Sequence, residues 1–565
     1  MDAVVLYRAT EMHRQGNLGG AEKLYRSVLT ATPLHPDALA LLGVVLGERM
    51  AYREAVSFLR KAIQGDPAAP LFRYYLGTVL ADAGDEVGAT MAFRDALARH
   101  PEFAEAHYRL ALILKKQQNV AEAVEHLRHA TRIAPGYGAA WAALGSFALK
   151  AEDFGLAKCA AEKAVRLMPE NLVARIALAL ALNFLDRHEE AIDALRQALR
   201  IKPDFIEAWD MLGLAYQQAG RLDEAEGVMR QAIEVAGAVI PDEESREVAE
   251  EEYSVQHWNL ALLELLRGDF RRGFAHYSAR FKKTGRAQRL AFPRPVWRGE
   301  DIRGKKILVV GEQGFGDVLM LCRYAPLLKA QGAYVVLLTQ QALASLLKQV
   351  ELANEILCEG PQTQGDFDFQ ASIFDLPHRL GTRLDSIPSA IPYLPLPSAD
   401  GGFVLPKTGC PRIGVVWAGR WDFGNDWRRS IPLSVFEKIF GESGAQFFNL
   451  TRELQATDVD VLAGHGVVDL SSRLSDFSAT ARFVAQLDLV ITCDTAMAHL
   501  AGGMGKKVWV LLSFAPDWRW LTEREDSPWY PSMRLFRQGK AGDWGGVVGR
   551  VRQALALFLG AHLTP

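Results

Sequence analysis

Apolar positions fall into two different rhythms along this chain. Up to about residue 235 they recur at helical spacing, in blocks separated by short polar turns. Beyond about residue 300, short β-branched runs alternate with helical stretches. In the first part alanine returns every 34 residues, at Ala21, Ala55, Ala89, Ala123, Ala157, Ala191 and Ala225. Proline keeps the same step at Pro33, Pro67, Pro101, Pro135, Pro169 and Pro203, and a second alanine at Ala62, Ala96, Ala130, Ala164, Ala198 and Ala232. Leu-Gly stands at Leu42-Gly43, Leu76-Gly77, Leu144-Gly145 and Leu212-Gly213, with Leu-Ala at Leu110-Ala111 and Leu178-Ala179. A fixed period of this size predicts stacked helix pairs. The small residues let two antiparallel helices approach closely, and proline ends the second helix of each pair. Six full repeats, preceded by one that is degenerate at its start, are predicted over residues 1–235.

Residues 236–300 break the period. An acidic stretch near 241–252 reads as a solvated insertion or linker helix. Residues 255–281 read as a further, divergent helix pair, and 286–304 as an ordered linker with Pro293, Pro295 and Trp297. The second rhythm then predicts strands at 307–310, 333–339, 367–373, 412–417, 446–450, 487–493 and 507–512. Helices are predicted at 340–349 and 432–440, with a closing amphipathic helix over 547–559. Strands alternating with helices predict parallel sheets covered on both faces. The proline-rich segment 387–397 reads as a hinge between two Rossmann-like lobes, 301–400 and 401–565. A ligand is expected in their cleft, at the strand C-termini.

Composition narrows the function classes. A chain of 565 residues is too long for one core, and 49% hydrophobic with 23% charged residues is ordinary for a globular protein. A formal net charge of −3 argues against a general nucleic-acid binder. The cysteines at 159, 322, 358, 410 and 493 form no CxxC pair and suggest a reducing compartment without a disulfide frame or zinc site. Neither a signal peptide nor a membrane span is evident, so a cytoplasmic protein is expected.

Two stretches carry candidate chemistry. After the 307–310 strand comes Gly311-Glu312-Gln313-Gly314-Phe315-Gly316-Asp317, a strand-turn-helix pattern. Gly311, Gly314 and Gly316 allow a sharp turn and close approach of a ligand. The helix start suits phosphate, and Asp317 there caps the helix or takes a proton. The order is GxxGxG, neither the Rossmann GxGxxG nor a Walker A loop. The second stretch is Cys493-Asp494-Thr495-Ala496-Met497-Ala498-His499, again strand to helix. Its N–H groups, the Thr495 hydroxyl and a His499 ring nitrogen suit a nucleotide phosphate. The plain alternative makes Asp494 an N-cap and His499 a hydrogen-bonded core histidine. The aromatic tail, Trp518, Trp520, Trp529 and Tyr530, either lines a base or sugar site or packs one lobe on the other.

The 34-residue pattern resembles the tetratricopeptide repeat, whose arrays bind protein partners. Protein O-GlcNAc transferases carry asparagines before the Leu-Gly that grip an extended peptide. Here those places hold Leu41, Tyr75, Arg109, Ala143, Ala177 and Met211. A groove with Tyr74, Tyr75, Tyr108 and Arg109 suits a folded or helical partner better, unless the tyrosines are simply core or groove lining.

Residues 303–560 resemble the heptosyltransferase-like (family 9-like) GT-B glycosyltransferases. The resemblance implies an α-solenoid followed by a GT-B fold. It implies Asp317 as catalytic base and Asp494, Thr495 and His499 as donor-binding residues beside Gly314 and Gly316. The family's glycine after Asp-Thr is Ala496 here, and its phosphate-binding lysine has no clear match, with Arg420, Arg428 and Arg429 as candidates for that charge. The two halves together resemble TPR-type flagellin glycosyltransferases. That implies a nucleotide-sugar donor, no metal or other cofactor, and a protein acceptor, flagellin by analogy, modified on Ser or Thr. A glycan- or lipid-glycan-directed transferase and an inactive repeat scaffold are the alternatives.

Overall fold

The structure, a computed structural model, describes residues 2–238, 254–277, 294–358, 366–398, 404–406, 409–419, 426–442 and 444–563. The acidic stretch near 241–252 and the start of the 286–304 linker lie outside them. Two compact units divide the chain, residues 1–208 and 209–565.

The first unit is a run of helix pairs from Asp2–Arg14 and Leu18–Ala31 to Leu172–Phe184 and His188–Ile201. The second helices end at Ala31, Gly65, Arg99, Ile133, Leu167 and Ile201, each two residues before a repeat proline. Proline disfavours helical backbone in the residue before it, so the stop is local in origin. Both series of repeat alanines are fully buried. A Cβ on Gly43 would lie 2.6 Å from Leu59 Cγ and 3.1 Å from the Ala55 carbonyl oxygen, so the glycine is a packing requirement. Each buried leucine of this interface, such as Leu59, contributes about 2 kcal/mol. The turn inside each pair uses one left-handed residue, again 34 apart: Gly16, Met50, Gly84, Gln118, Glu152 and Asp186. At Met50, Gln118, Glu152 and Asp186 the turn geometry prevails over a side chain that disfavours it.

The second unit opens with the last repeat. Its second helix, Leu222–Ala238, packs beside the pair Ser254–Leu266 and Phe270–Tyr277. Then come two parallel sheets. In the first, strands β1 (Lys306–Val310), β2 (Tyr334–Thr339), β3 (Glu355–Cys358) and β4 (Phe369–Ser372) lie in the order β3-β2-β1-β4. The second contains β5 (Arg412–Val416), β6 (Gln446–Asn449), β7 (Val468–Asp469), β8 (Leu489–Cys493), β9 (Val508–Leu512) and β10 (Met533–Arg537). Their order is β10-β9-β8-β5-β6-β7. This is the doubly wound arrangement, with its strand order reversing between β5 and β8. The first sheet repeats the same start, with reversal between β1 and β4. The linker joins as an extra edge: Val296 bridges Gln370 in parallel fashion and Trp297 is buried.

Strands β1, β2, β4, β5, β6, β8 and β9 fall where the apolar runs predict them. β3, β7 and β10 do not: β7 has 2 residues, β3 is only half-buried along its length, and β10 carries Arg534 and Arg537 among its apolar residues. One core joins Ala261, Leu265, Phe270 and Phe274 of the helix pair, Ile307 and Val309 of β1, and Val490 and Val508 of the second sheet. The proline-rich segment is correspondingly not a bare hinge. Tyr393 and Leu394 donate their backbone N–H groups to the Gly503 carbonyl at 2.9 and 3.0 Å, and Arg323 donates to the Pro388 carbonyl at 3.1 Å. Buried backbone must find partners, and here the partners come from both lobes.

Candidate functional site

β1 runs into Gly311 to Gly314 and then the short helix Phe315–Leu321. The left-handed residue of this turn is Gln313, at φ 63°, and none of the three glycines. The glycines answer a steric demand instead. A Cβ on Gly311 would sit 2.9 Å from the Leu338 carbonyl oxygen, and one on Gly316 2.8 Å from His499 Cδ2. Gln313 is held by Tyr277, whose hydroxyl lies 3.2 Å from Gln313 Nε2, and by Gln340 Nε2, which donates to the Gln313 carbonyl at 3.2 Å.

Asp317 Oδ2 accepts the Gly314 N–H at 2.7 Å, as a helix cap would. Asp317 Oδ1 accepts from Arg519 Nη2, and Arg519 Nη1 donates to Asp517 Oδ1 at 2.6 Å. Arg519 lies over the Trp518 ring at 4.4 Å. Burial pushes the Asp317 carboxyl above its usual value, while Arg519 and the Gly314 N–H draw it back. Asp317 is therefore tied on both oxygens. Glu312, at the same strand end, is buried and accepts from the Ser372 hydroxyl at the end of β4.

The second turn follows β8. Thr495 is the N-cap residue of the helix Ala496–Gly503, without a side-chain cap, and its hydroxyl lies 3.1 Å from the Thr492 hydroxyl. Asp494 is half-buried and does not take the N-cap place. Burial, then the neighbouring Asp517 carboxylate, push its carboxyl up to about 6, against the pull of Arg429, Trp520 and Arg519. Arg429 reaches this point from beyond β5. Its Nε donates to Asp426 Oδ1 at 2.9 Å, and a Cβ on Gly419 would lie 2.6 Å from Arg429 Nη2. Arg428 lies against the Trp427 ring at 4.8 Å. Arg420 lies outside the described residues. The reversal between β5 and β8 thus gathers Asp494, Thr495 and Arg429.

His499 is buried, with Nδ1 3.0 Å from the Tyr530 hydroxyl and its ring stacked on Trp520 at 5.3 Å. Burial, with Arg519 and Arg323 nearby, holds its pKa well below the usual value, so the imidazole is neutral. This is the core-histidine geometry. The aromatic tail is packing: Trp518, Trp520, Trp529 and Tyr530 are buried in the shared core, and Phe270 and Phe274 meet Trp518 edge-on. Arg519 and Asp517 were not singled out from the sequence, although an arginine between two tryptophans is a usable sign of a desolvated cation.

In the repeats, Tyr75 lines a cavity of about 520 Å³ with Thr10, His13, Arg14, Leu41, Val44 and Glu48. Tyr74 packs on Phe93 and Phe103 at 5.8 and 4.9 Å, and Tyr108 on Tyr137 at 5.1 Å. Those two are largely wall, and Arg109 beside Tyr108 is half-buried. Among the described residues no three of His, Cys, Asp and Glu converge in a metal-holding group, and no helix is long and apolar enough to cross a membrane.

The class these features define is a tetratricopeptide-repeat protein carrying two parallel α/β sheets. Models of the tetratricopeptide repeat match residues 13–70, 80–146, 185–220 and 206–238. Protein FlbA of Caulobacter vibrioides is 28% identical over 339 residues, 54% of this chain and 56% of that protein. The chain thus spans about half the length of this curated relative. Among solved structures, a MamA protein is 23% identical and covers 30% of this chain and 92% of its own, at a TM-score of 0.26. PilF of Pseudomonas aeruginosa is 18% identical and covers 36% and 92%, at a TM-score of 0.34.

Proposed function

We propose that this chain is a glycosyltransferase with a GT-B arrangement, moving a sugar from a nucleotide-sugar to Ser or Thr hydroxyls of a protein held by its repeats. The observation that carries the reading is the gathering of Asp494, Thr495 and Arg429 where β5 and β8 part. In doubly wound sheets ligands sit at that reversal, outside the strand C-termini. The N–H groups at the start of the Ala496–Gly503 helix, the Thr495 hydroxyl and the Arg429 guanidinium then offer donors to a diphosphate, and Arg429 supplies the charge a lysine would otherwise carry. As the sugar–phosphate bond breaks, charge builds on the departing phosphate, and these donors stabilise it. A carboxylate takes the proton from the acceptor hydroxyl, with Asp317 the residue matched by resemblance.

Flagellin is the acceptor the architectural analogy names, modified in the cytoplasm before export, with Tyr75 and the cavity beside it in the recruiting groove. Donor hydrolysis by the purified protein, together with intact-mass spectra of flagellin from cells with and without the gene, tests the reading. No hydrolysis of any nucleotide-sugar and an unchanged flagellin mass would overturn it. A second reading, a repeat scaffold without activity, is favoured by one observation: both oxygens of Asp317 are occupied, by Arg519 and by the Gly314 N–H.

A further inference from the structure

We propose that His499 is a positioning residue: it wedges against Gly316 and carries a buried clamp around Arg323 into the turn that holds Asp317. The proposal rests on the donor-site reading only for its consequence in nucleotide binding; the mechanical link stands on the geometry alone.

The clamp is a desolvated cation. Arg323 is buried and spends its N–H groups on neutral acceptors from three parts of the unit. Nε donates to the Met320 carbonyl at 2.8 Å. Nη1 donates to the carbonyls of Pro388 and Trp529 at 3.1 and 2.6 Å, and Nη2 to the Tyr393 hydroxyl at 2.7 Å. The guanidinium also lies 4.4 and 4.5 Å from the ring centres of Tyr393 and Tyr530. A buried guanidinium whose neighbours come from three segments, its own helix, 388–393 and 529–530, ties those segments together, because releasing one leaves the charge poorly compensated.

Tyr530 passes this order on. Its hydroxyl lies 3.0 Å from His499 Nδ1, and Trp520 stacks on the other side of the imidazole. The remaining edge of the ring faces Gly316, so closely that a Cβ there would be 2.8 Å from Cδ2. The imidazole is 4% exposed and is met by Tyr530, Trp520 and Gly316. It is neutral and enclosed, with Tyr530 bonded to it and Arg519 and Arg323 the charges that act on it. Moving it moves the first turn of the Phe315–Leu321 helix, and with it the carboxylate that meets Arg519.

The test is a cycle with Gly316→Ala and His499→Ala, read by thermal unfolding and by hydrogen exchange of the amides of residues 315–321. Gly316→Ala should lower Tm by about 2–4 °C in the natural chain but much less when His499→Ala has opened the space. Tyr530→Phe, a milder change that removes the hydroxyl bonded to His499, should speed exchange at residues 315–321 by roughly tenfold. Additive Tm losses, or unchanged exchange in Tyr530→Phe, would overturn the proposal. Binding of UDP and GDP as probes gives a separate arm. Should His499 touch phosphate directly, His499→Ala weakens probe binding while exchange at 315–321 stays as it was, which also overturns the proposal. Failure of both probes to bind the natural chain counts against the donor-site reading, and the exchange arm still decides this one.

Discussion

Removing the charge of Asp317 is the perturbation whose outcome the structure changes most. Asparagine caps a helix nearly as well as aspartate, so Asp317→Asn keeps the bond from the Gly314 N–H. It leaves Arg519, only 8% exposed, without one of its two carboxylates. Two unit charges near 4 Å at an effective dielectric of 20 attract by about 4 kcal/mol, and breaking one side of a buried pair costs about 3–5 kcal/mol. Asp517, 2.6 Å from Arg519 Nη1, retains part of the compensation. Asp317→Asn also sheds the desolvation that raises the Asp317 carboxyl pKa, so the expected loss is about 1–2 kcal/mol. Arg519→Met alone strands Asp317 instead, and the double variant should recover most of the loss. Urea unfolding followed by tryptophan fluorescence suits the measurement, because every tryptophan except Trp141 lies at or beyond residue 209. Additivity of the two single losses within about 0.5 kcal/mol would refute the coupling. The same variant tests catalysis. If Asp317 is the general base of the proposed transfer, Asp317→Asn should lower the rate by roughly 10²–10⁴. Near-normal transfer would show that the base lies elsewhere, and Glu312, buried at the same strand end, would be the next residue to test.

Asp494 sets a pH dependence. Its folded-state pKa is raised to about 6, so between about pH 4 and 6 the folded state holds a proton that the unfolded chain releases, and stability falls as pH rises through that window. Asp494→Asn should flatten the fall and raise stability at pH 7 by about 1–3 kcal/mol while weakening nucleotide binding; an unchanged pH profile in unfolding experiments refutes this. At the left-handed turn residue Glu152, Glu152→Gly should stabilise the first unit by about 0.5–1 kcal/mol, and a lower Tm would count against it. Truncation should respect the unit boundary. A chain starting at residue 236 loses Leu222 from the core and the bond from Gln256 to Asp210 at 2.6 Å, and should unfold at lower temperature than one starting at residue 203; equal Tm values would refute this.

The repeat half was legible in the sequence because its determinants are local. Ala55 and Ala62 face the partner helix whatever lies further away, and Pro67 ends its helix through contact with its own neighbour. The strands around Ile307, Val415 and Val490 were legible for a similar reason: a buried parallel strand is a short apolar run whichever strands flank it. The tertiary structure alone decided what the polar residues do. Asp317 and Arg519 are 202 positions apart, and their meeting follows from how two sheets pack on each other. Gly316 is glycine because of His499, and His499 is neutral because Trp520 and Tyr530 enclose it. Gln313, with glycines close by on both sides, takes the left-handed conformation and is held there by Tyr277, from a helix that the repeat period had already left behind. A side chain's spacing tells which face it shares; its charge state and its partner depend on desolvation and on distances across the core, which no local pattern encodes.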